Sequence, residues 1–323
     1  MKHVSLGVAF TGLALLIASC ARSSGYDKSQ EYYGEYPRSY YSQPGRAESP
    51  TKRIEVLGQP KKRVLVLDFR NDTPLNLSRI GAFTADELKR GLHLTERVII
   101  PTGLPQELRT DDFTKGDEVR VAQLIREGRQ KGVAVMVIGR IVRLIFRQRG
   151  DEVGVFRQRQ TLAAADVEAK VFDVQAGREI MAIGRSGETS SNAIVTLKKE
   201  EMSDDAFRLE MAQFAVREAV ARLVPDVLKA IEKMTWEGRI AKISGNLIYV
   251  NAGRNSGLVN GDILKVLTPG EDIYDPSTGA FLGRAEGQLK GTIEVNDFIG
   301  EDGSVTRIHT GGNFQEGDLV RLY

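Results

Sequence analysis

The sequence changes its grammar at Trp236-Glu237-Gly238, and that change sets what the chain can fold into. Before it, apolar residues come in long runs and long helical stripes. After it, they come a few at a time, cut by Gly, Asn and Asp. Hydrophobic spacing is the primary signal of secondary structure, so a different architecture is expected on each side. With 323 residues the chain is long enough for both.

Order is expected from about Arg63. Val64-Leu65-Val66-Leu67-Asp68-Phe69 is a nearly continuous apolar run closed by the turn cluster Asn71-Asp72-Thr73-Pro74, so it reads as a buried strand. Ile80, Phe83, Leu88 and Leu92 recur at mostly helical spacing, with Ser78 as N-cap. Arg97 to Ile100 reads as a strand. Val119 to Lys131 reads as a helix stopped by Gly132. Val133 to Phe146 is a second buried strand, turned at Gly150-Asp151. Thr161 to Val174 alternates with period two through Ala165, Val167, Ala169 and Val171, and Gln175-Ala176-Gly177 turns it into a strand from Glu179 to Gly187. Ser203-Asp204-Asp205 caps a long helix carrying Phe207, Met211, Phe214, Val216, Val220 and Leu223. Pro225 is expected to kink or break that helix, which ends near Met234. The fold class is α+β or α/β over 61–236, a mixed-sheet sandwich with helices.

Over 237–323 six short strands are expected: Arg239–Ile243, Leu247–Asn251, Asp262–Leu267, Gly287–Phe298, Ser304–Ile308 and Asp318–Leu322. Such spacing points to a small all-β barrel or sandwich. Gly261-Asp262-Ile263-Leu264-Lys265-Val266 is echoed by Gly317-Asp318-Leu319-Val320-Arg321-Leu322. Asp275-Pro276-Ser277-Thr278-Gly279 is a strong turn.

The N-terminus is organised differently. Lys2 and His3 precede an apolar run from Val8 to Ile17, and small residues follow, as in a secretory signal over 1–20. The run is too short for a transmembrane helix, which needs roughly 20 apolar residues. Ile17-Ala18-Ser19-Cys20 resembles a bacterial lipobox, whose cysteine is lipidated and becomes the new N-terminus. Cys20 is the only cysteine, so an exported chain has no internal disulfide to form with it. The alternative is a plain cleaved signal with an incidental thiol. In known lipoproteins Asp after the cysteine favours inner-membrane retention, so Ala21 implies the outer membrane. Residues 21–60 read as a polar tether with six tyrosines, Tyr26, Tyr32, Tyr33, Tyr36, Tyr40 and Tyr41. They serve as a spacer or as a docking segment.

Several functions find no support. Lys+Arg of 45 against Asp+Glu of 43 gives no electrostatic case for nucleic acid. Three histidines, one of them in the signal, make a His-rich metal site improbable, and one cysteine excludes a thiolate-metal fold. No phosphate-loop or zinc-protease motif occurs. Gly184-Arg185-Ser186-Gly187 falls one residue short of a nucleophile elbow and reads as a strand end. Asp68 reads as capping the loop through Asn71-Asp72-Thr73, and Asp262 and Asp318 as turn residues. Lys198-Lys199-Glu200-Glu201 reads as a solvated loop, or as a charged contact between subunits. Phe207, Met211 and Phe214 read as core rather than as a partner groove. No catalytic residue, no metal ligand and no cofactor beyond a lipid on Cys20 is expected.

Val64 to Thr73, Ala85 to Leu88, Gly132 to Ile141 and Ala169 to Arg178 resemble the CsgG-type family of curli secretion lipoproteins. Related folds occur in the TolB N-terminal domain and in activators of penicillin-binding proteins. Asn251-Ala252-Gly253, Gly257 to Asp262, Asp275 to Gly279 and Gly317-Asp318 resemble the SH3-like C-terminal domain of FlgT, a flagellar assembly protein that also carries a TolB-like domain. The resemblance implies a non-enzymatic periplasmic lipoprotein on the outer membrane. It would act as an assembly or scaffold subunit of a flagellar or curli-like envelope machine, as a homo-oligomer among envelope proteins. The alternatives are a curli-type secretion channel and an activator of a cell-wall synthase. A channel would need membrane hairpins from Arg140–Gln160 and Thr189–Asp205. Those stretches carry Arg143, Arg147, Arg149, Arg157, Arg159, Lys198 and Lys199, and a lipid-facing Arg or Lys costs roughly 2–4 kcal/mol near the midplane.

Overall fold

The computed structural model describes residues 59–77, 79–102, 108–150, 157–195, 205–279 and 281–323. Cys20, most of the predicted tether, Ser78, Asp151, Lys198 to Glu201 and the Ser203-Asp204 pair lie outside the described residues.

The body is a mixed sheet with helices on both faces. Its strands are β1 (Lys62–Val66), β2 (Arg70–Asn71), β3 (Val98–Ile99), β6 (Val135–Gly150), β7 (Arg157–Asp173) and β8 (Arg178–Val195). Their order is β3-β1-β6-β7-β8, with β2 beside β6. β1 runs parallel to β3 and β6, while β6, β7 and β8 form an antiparallel meander. A second small hairpin, β4 (Thr114–Lys115) and β5 (Glu118–Val119), follows a 3-10 turn at Thr110–Phe113.

Strand side chains alternate between faces. One face presents Val64, Val66, Val135, Val137 and Ile141, with Ala163, Ala165, Val167, Ala169 and Val171 from β7. Helices α1 (Ile80–Leu94) and α3 (Asp205–Glu232) cover it. The buried stripe of α3 includes Met211, Ala215, Val216, Ala219, Val220, Leu223, Val227 and Ile231. Alanines on both surfaces bring helix and sheet close. A Cβ on Gly187 would lie 2.2 Å from the Ala215 carbonyl oxygen. The opposite face carries Leu67, Met136, Ile138, Phe172 and Val174, covered by Leu124 and Ile125 of α2 (Val121–Gln130). α2 ends at Gly132, which takes φ +66° as a helix C-terminus often requires.

Three local expectations change, and the tie of one loop is now explicit. The residue before α1 is Arg79, with φ 58° and no side-chain capping bond. The loop after β2 is tied by Asn71. Asn71 Oδ1 accepts from the Thr73 amide at 3.1 Å and Nδ2 donates to the Leu75 carbonyl at 2.8 Å, while the backbone of Asp68 pairs with Leu108 and Thr110. β8 passes through Gly184-Arg185-Ser186-Gly187 and ends at Val195, because Gly187 serves helix contact and not termination. α3 runs unbroken through Pro225. A helix-interior proline costs about 3 kcal/mol. Buried Leu223, Val224, Val227 and Ile231 flank it, and each contributes about 1.5–3 kcal/mol, so packing wins.

The C-terminal part is a closed six-stranded barrel. Its strands are β9 (Gly238–Ser244), β10 (Leu247–Val250), β11 (Ile263–Leu267), β14 (Leu289–Ile299), β15 (Gly303–Gly311) and β16 (Leu319–Leu322), closing in the order β10-β15-β14-β11-β16-β9. The six expected strands are all present with shifted ends. An extra hairpin, β12 (Asp272–Tyr274) and β13 (Phe281–Arg284), flanks the Asp275–Gly279 turn. Asp275 Oδ1 accepts from the amides of Ser277 and Thr278 there.

The sequence echo is a structural one. Gly261 and Gly317 have φ of 91° and 90°. Asp262 Oδ2 accepts from the Val259 amide at 2.8 Å, and Asp318 Oδ2 from the Gln315 amide at 2.7 Å. β11 and β16 pair antiparallel with Lys265 opposite Arg321, the two echoed residues. A local two-fold axis through that pair therefore carries one Gly-Asp turn onto the other.

Body and barrel are joined by polar contacts. Arg63 donates to the Asn251 carbonyl at 2.9 Å and to Asp302 at 3.1 Å. Asp302 also takes the amides of Gly253 and Ser256 and the Ser256 hydroxyl. The Lys61 amide donates to the Ser256 carbonyl, and Gln59 Oε1 accepts from the Trp236 amide. Phe281 lies against Gly177, and Arg129 pairs with Asp272 at 3.1 Å.

Gly187→Ala tests the helix–sheet approach. The added methyl meets α3 backbone, which cannot rotate away, so urea denaturation is expected to show a loss of about 1–3 kcal/mol. An unchanged midpoint would refute the close contact.

Candidate functional site

α2 and the 3-10 turn cover only part of the second sheet face. Beyond them β6, β7 and β8 expose Arg140, Arg143, Asp166, Glu168, Lys170, Ser186 and Glu188. These are the residues between the buried ones on β7 and their cross-strand neighbours. Arg140 stands opposite Glu168 and donates through Nε at 2.8 Å. Arg143 stands opposite Asp166 and grips it with two bonds, at 2.6 and 3.1 Å. Lys170 reaches Glu179 at 3.5 Å. Opposite charges directly across strands are the favourable arrangement.

Where the β4–β5 hairpin meets this face there is a cleft of about 170 Å³. Its polar walls are Arg70, Thr110, Asp117, Arg140, Glu168 and Lys170. Arg70 binds both oxygens of Asp72 and donates to the Gly116 carbonyl. Asp117 accepts from Arg140 at 2.7 Å. The bond from Asp72 raises Arg70 above the usual guanidinium range, and the bond from Glu168 does the same for Arg140, so both stay cationic. Fixed donors and acceptors of both signs make this a surface for polar recognition.

The candidates read from sequence are spread out. Gly184 and Gly187 lie inside β8. Asp262 and Asp318 tie their turns. Asp318 is 1 % exposed and also binds Lys290 Nζ through both oxygens, at 2.9 and 2.7 Å. Met211 is core and Phe207 packs against it, while Phe214 meets the Arg217 guanidinium 5.6 Å from its ring centre. Arg217 in turn lies 3.4 Å from Glu87 of α1. His93 ends α1 and His309 lies on β15, both exposed. Among the described residues no group of three potential metal ligands occurs, and no helix is long and apolar enough to cross a membrane. The cleft escaped the sequence because its walls come from four separate stretches. The readable signal was Asp166, Glu168 and Lys170 alternating with buried β7 residues.

No family model matches the chain, and no curated protein matches it. Several solved structures are similar over about half of it. A hypothetical protein of Chlamydia trachomatis shares 17% identity over 52% of this chain and 98% of its own, with a TM-score of 0.31. A lipoprotein of Neisseria meningitidis shares 12% over 54% and 99%, with a TM-score of 0.25. The PelC dodecamer of Paraburkholderia phytofirmans shares 11% over 54% and 89%, with a TM-score of 0.27. Likenesses this distant establish neither a family nor a function.

Two measurements check the geometry. Asp318→Asn keeps an acceptor for the Gln315 amide but leaves the Lys290 ammonium uncompensated. A loss of about 3 kcal/mol is expected on chemical denaturation, against no more than about 1 kcal/mol for Asp262→Asn. Equal effects would refute the buried pair. The second concerns Asp166, whose carboxyl the Arg143 hydrogen bond holds below its usual range. A folded-state value below the unfolded one stabilises above the unfolded pKa, and that stability is lost as pH falls through the folded value. Wild type should therefore exceed Arg143→Gln in stability at neutral pH, and the gap should narrow as pH falls below the ordinary aspartate range. A gap independent of pH would mean that the pair does not act through charge.

Proposed function

We propose that this protein is a non-enzymatic lipoprotein anchored on the periplasmic face of the outer membrane through an acyl group on Cys20. It serves there as a scaffold subunit of an envelope assembly. The observation that carries this reading is the Leu16-Ile17-Ala18-Ser19-Cys20 stretch after a short apolar run, holding the only cysteine in the chain. The mechanism is positional. The lipid fixes one end, the polar leader sets the reach, and the body and barrel present surfaces at raised local concentration. The open face of β6–β8, with charges of both signs held in cross-strand pairs, is the surface offered to a neighbouring subunit or envelope protein. The resemblance to CsgG-type and FlgT-like domains supports an assembly role in a flagellar or curli-like machine.

The body's packing favours the scaffold over the secretion channel. Leu144 and Ala163 are buried in the core and Phe146 packs against it. That leaves residues 147–160 for a first membrane hairpin, about six per arm after the turn, where a spanning strand needs about 9–11.

Cys20→Ser tests the anchor. Wild type is expected in outer-membrane fractions after carbonate washing, and the variant in the soluble periplasm. A variant that stays on the membrane would overturn the reading. Crosslinking in intact cells from Ser186 or Glu188, exposed on β8, should capture an envelope component. Recovery of none would count against the scaffold.

A further inference from the structure

A cavity of about 80 Å³ lies at the seam, between the start of β1, the end of α2 and the first residues of β9. Its cations outnumber the carboxylates bound to them. Lys62 is 4 % exposed, yet among the described residues its ammonium has one hydrogen bond, a long one of 3.4 Å to Gln59 Oε1. Arg239 is half-buried, and among the described residues its guanidinium reaches only Gln175 Oε1, also at 3.4 Å. Arg129 and Arg284 share one carboxylate, Asp272, and leave Arg129 Nε and Arg284 Nη1 buried without a partner. Buried cations are ordinarily paired, because an unpaired one forfeits its hydration.

The nearby carboxylates are engaged elsewhere. Glu237 is held by Arg321 at 2.6 and 2.8 Å, and Asp302 by Arg63. Asp173 Oδ1 takes the amides of Gln175 and Ala176, and burial pushes its carboxyl above the usual range. Burial lowers Lys62 as well, against the attraction of Glu232 and Asp173. It also lowers Arg239, with Arg284 and Arg129 adding repulsion against the attraction of Glu237. Glu232, Asp173 and Glu237 act on Lys62 and Arg239 only from a distance, and none of the three hydrogen-bonds to either cation.

We propose that this cavity binds a small oxyanion of the phosphate class, held by Lys62 and Arg129 from the body and Arg239 from the barrel. Guanidinium N–H groups suit a tetrahedral oxyanion, Arg129 offering its buried Nε and Arg239 a guanidinium with one long bond, and Lys62 adds a point charge. The ion bridges the two parts of the chain, so its binding stabilises the seam. This site is independent of the lipid anchor and of the open charged face.

The test is thermal unfolding of the full chain while inorganic phosphate replaces chloride at constant ionic strength, with calorimetric titration alongside. A ligand that binds only the native state raises Tm, by about 3 °C when present at ten times its Kd. Phosphate should do this and chloride should not. Arg239→Gln and, separately, Lys62→Met should abolish the rise, while Arg126→Gln on the exposed side of α2 should keep it. A wild type equally stable in both salts would overturn the proposal. So would an undiminished rise in both seam variants, or its loss in Arg126→Gln.

Discussion

The apolar face that β6, β7 and β8 turn towards α3 is the contact on which the rest of the body depends. It is built from small residues, with Ala163, Ala165 and Ala169 on one side and Ala212, Ala215 and Ala219 on the other. Small residues bring the helix axis near the sheet, and Gly187 allows the closest approach. Packing this dense tolerates little change in volume. It also keeps α3 a continuous helix across Pro225, whose missing N–H leaves one carbonyl of the preceding turn without its helical partner. With one face so covered, the alternation of the strands leaves the other face to charge.

Much of this was legible in the chain, and the illegible parts share a cause. Period-two alternation in β7 and the runs that became β1 and β6 are local signals, as are the glycine turns of the barrel. The Gly-Asp echo was also local, but its meaning was not. That Lys265 sits opposite Arg321 is a matter of register between distant strands. Pro225 and Gly187 misled for the same reason. Each reads as a breaker by propensity, and each is overruled by what packs against it. β12 and β13 were missed because Ile273, Tyr274 and Leu282 are exposed, so no burial pattern marks them. Lys62 is the sharpest case. In Lys61-Lys62-Arg63 it reads as a solvated charge, and only the tertiary fold places it in the interior.

Two kinds of charged site result, and they differ in balance. On the open sheet face every cation described above has a carboxylate across the strand, so the face is neutral in sum and patterned in detail. Such a surface discriminates by register more than by net attraction. The seam cavity is the opposite, lined by several cations, with no carboxylate among the described residues hydrogen-bonded to Lys62 or Arg239. A patterned outer face and an electropositive joint suit a subunit that positions neighbours and whose two parts hold a set geometry.

Gln59 adds a mechanical consequence. Its side chain binds both the Trp236 amide and the Lys62 ammonium, and two residues later the Lys61 amide is fastened to Ser256 of the barrel. Gln59 is therefore fastened at the joint itself. Any pull on the chain at Gln59 loads the joint first, straining the bonds of Gln59 and Lys61 before it reaches the helix-covered sheet.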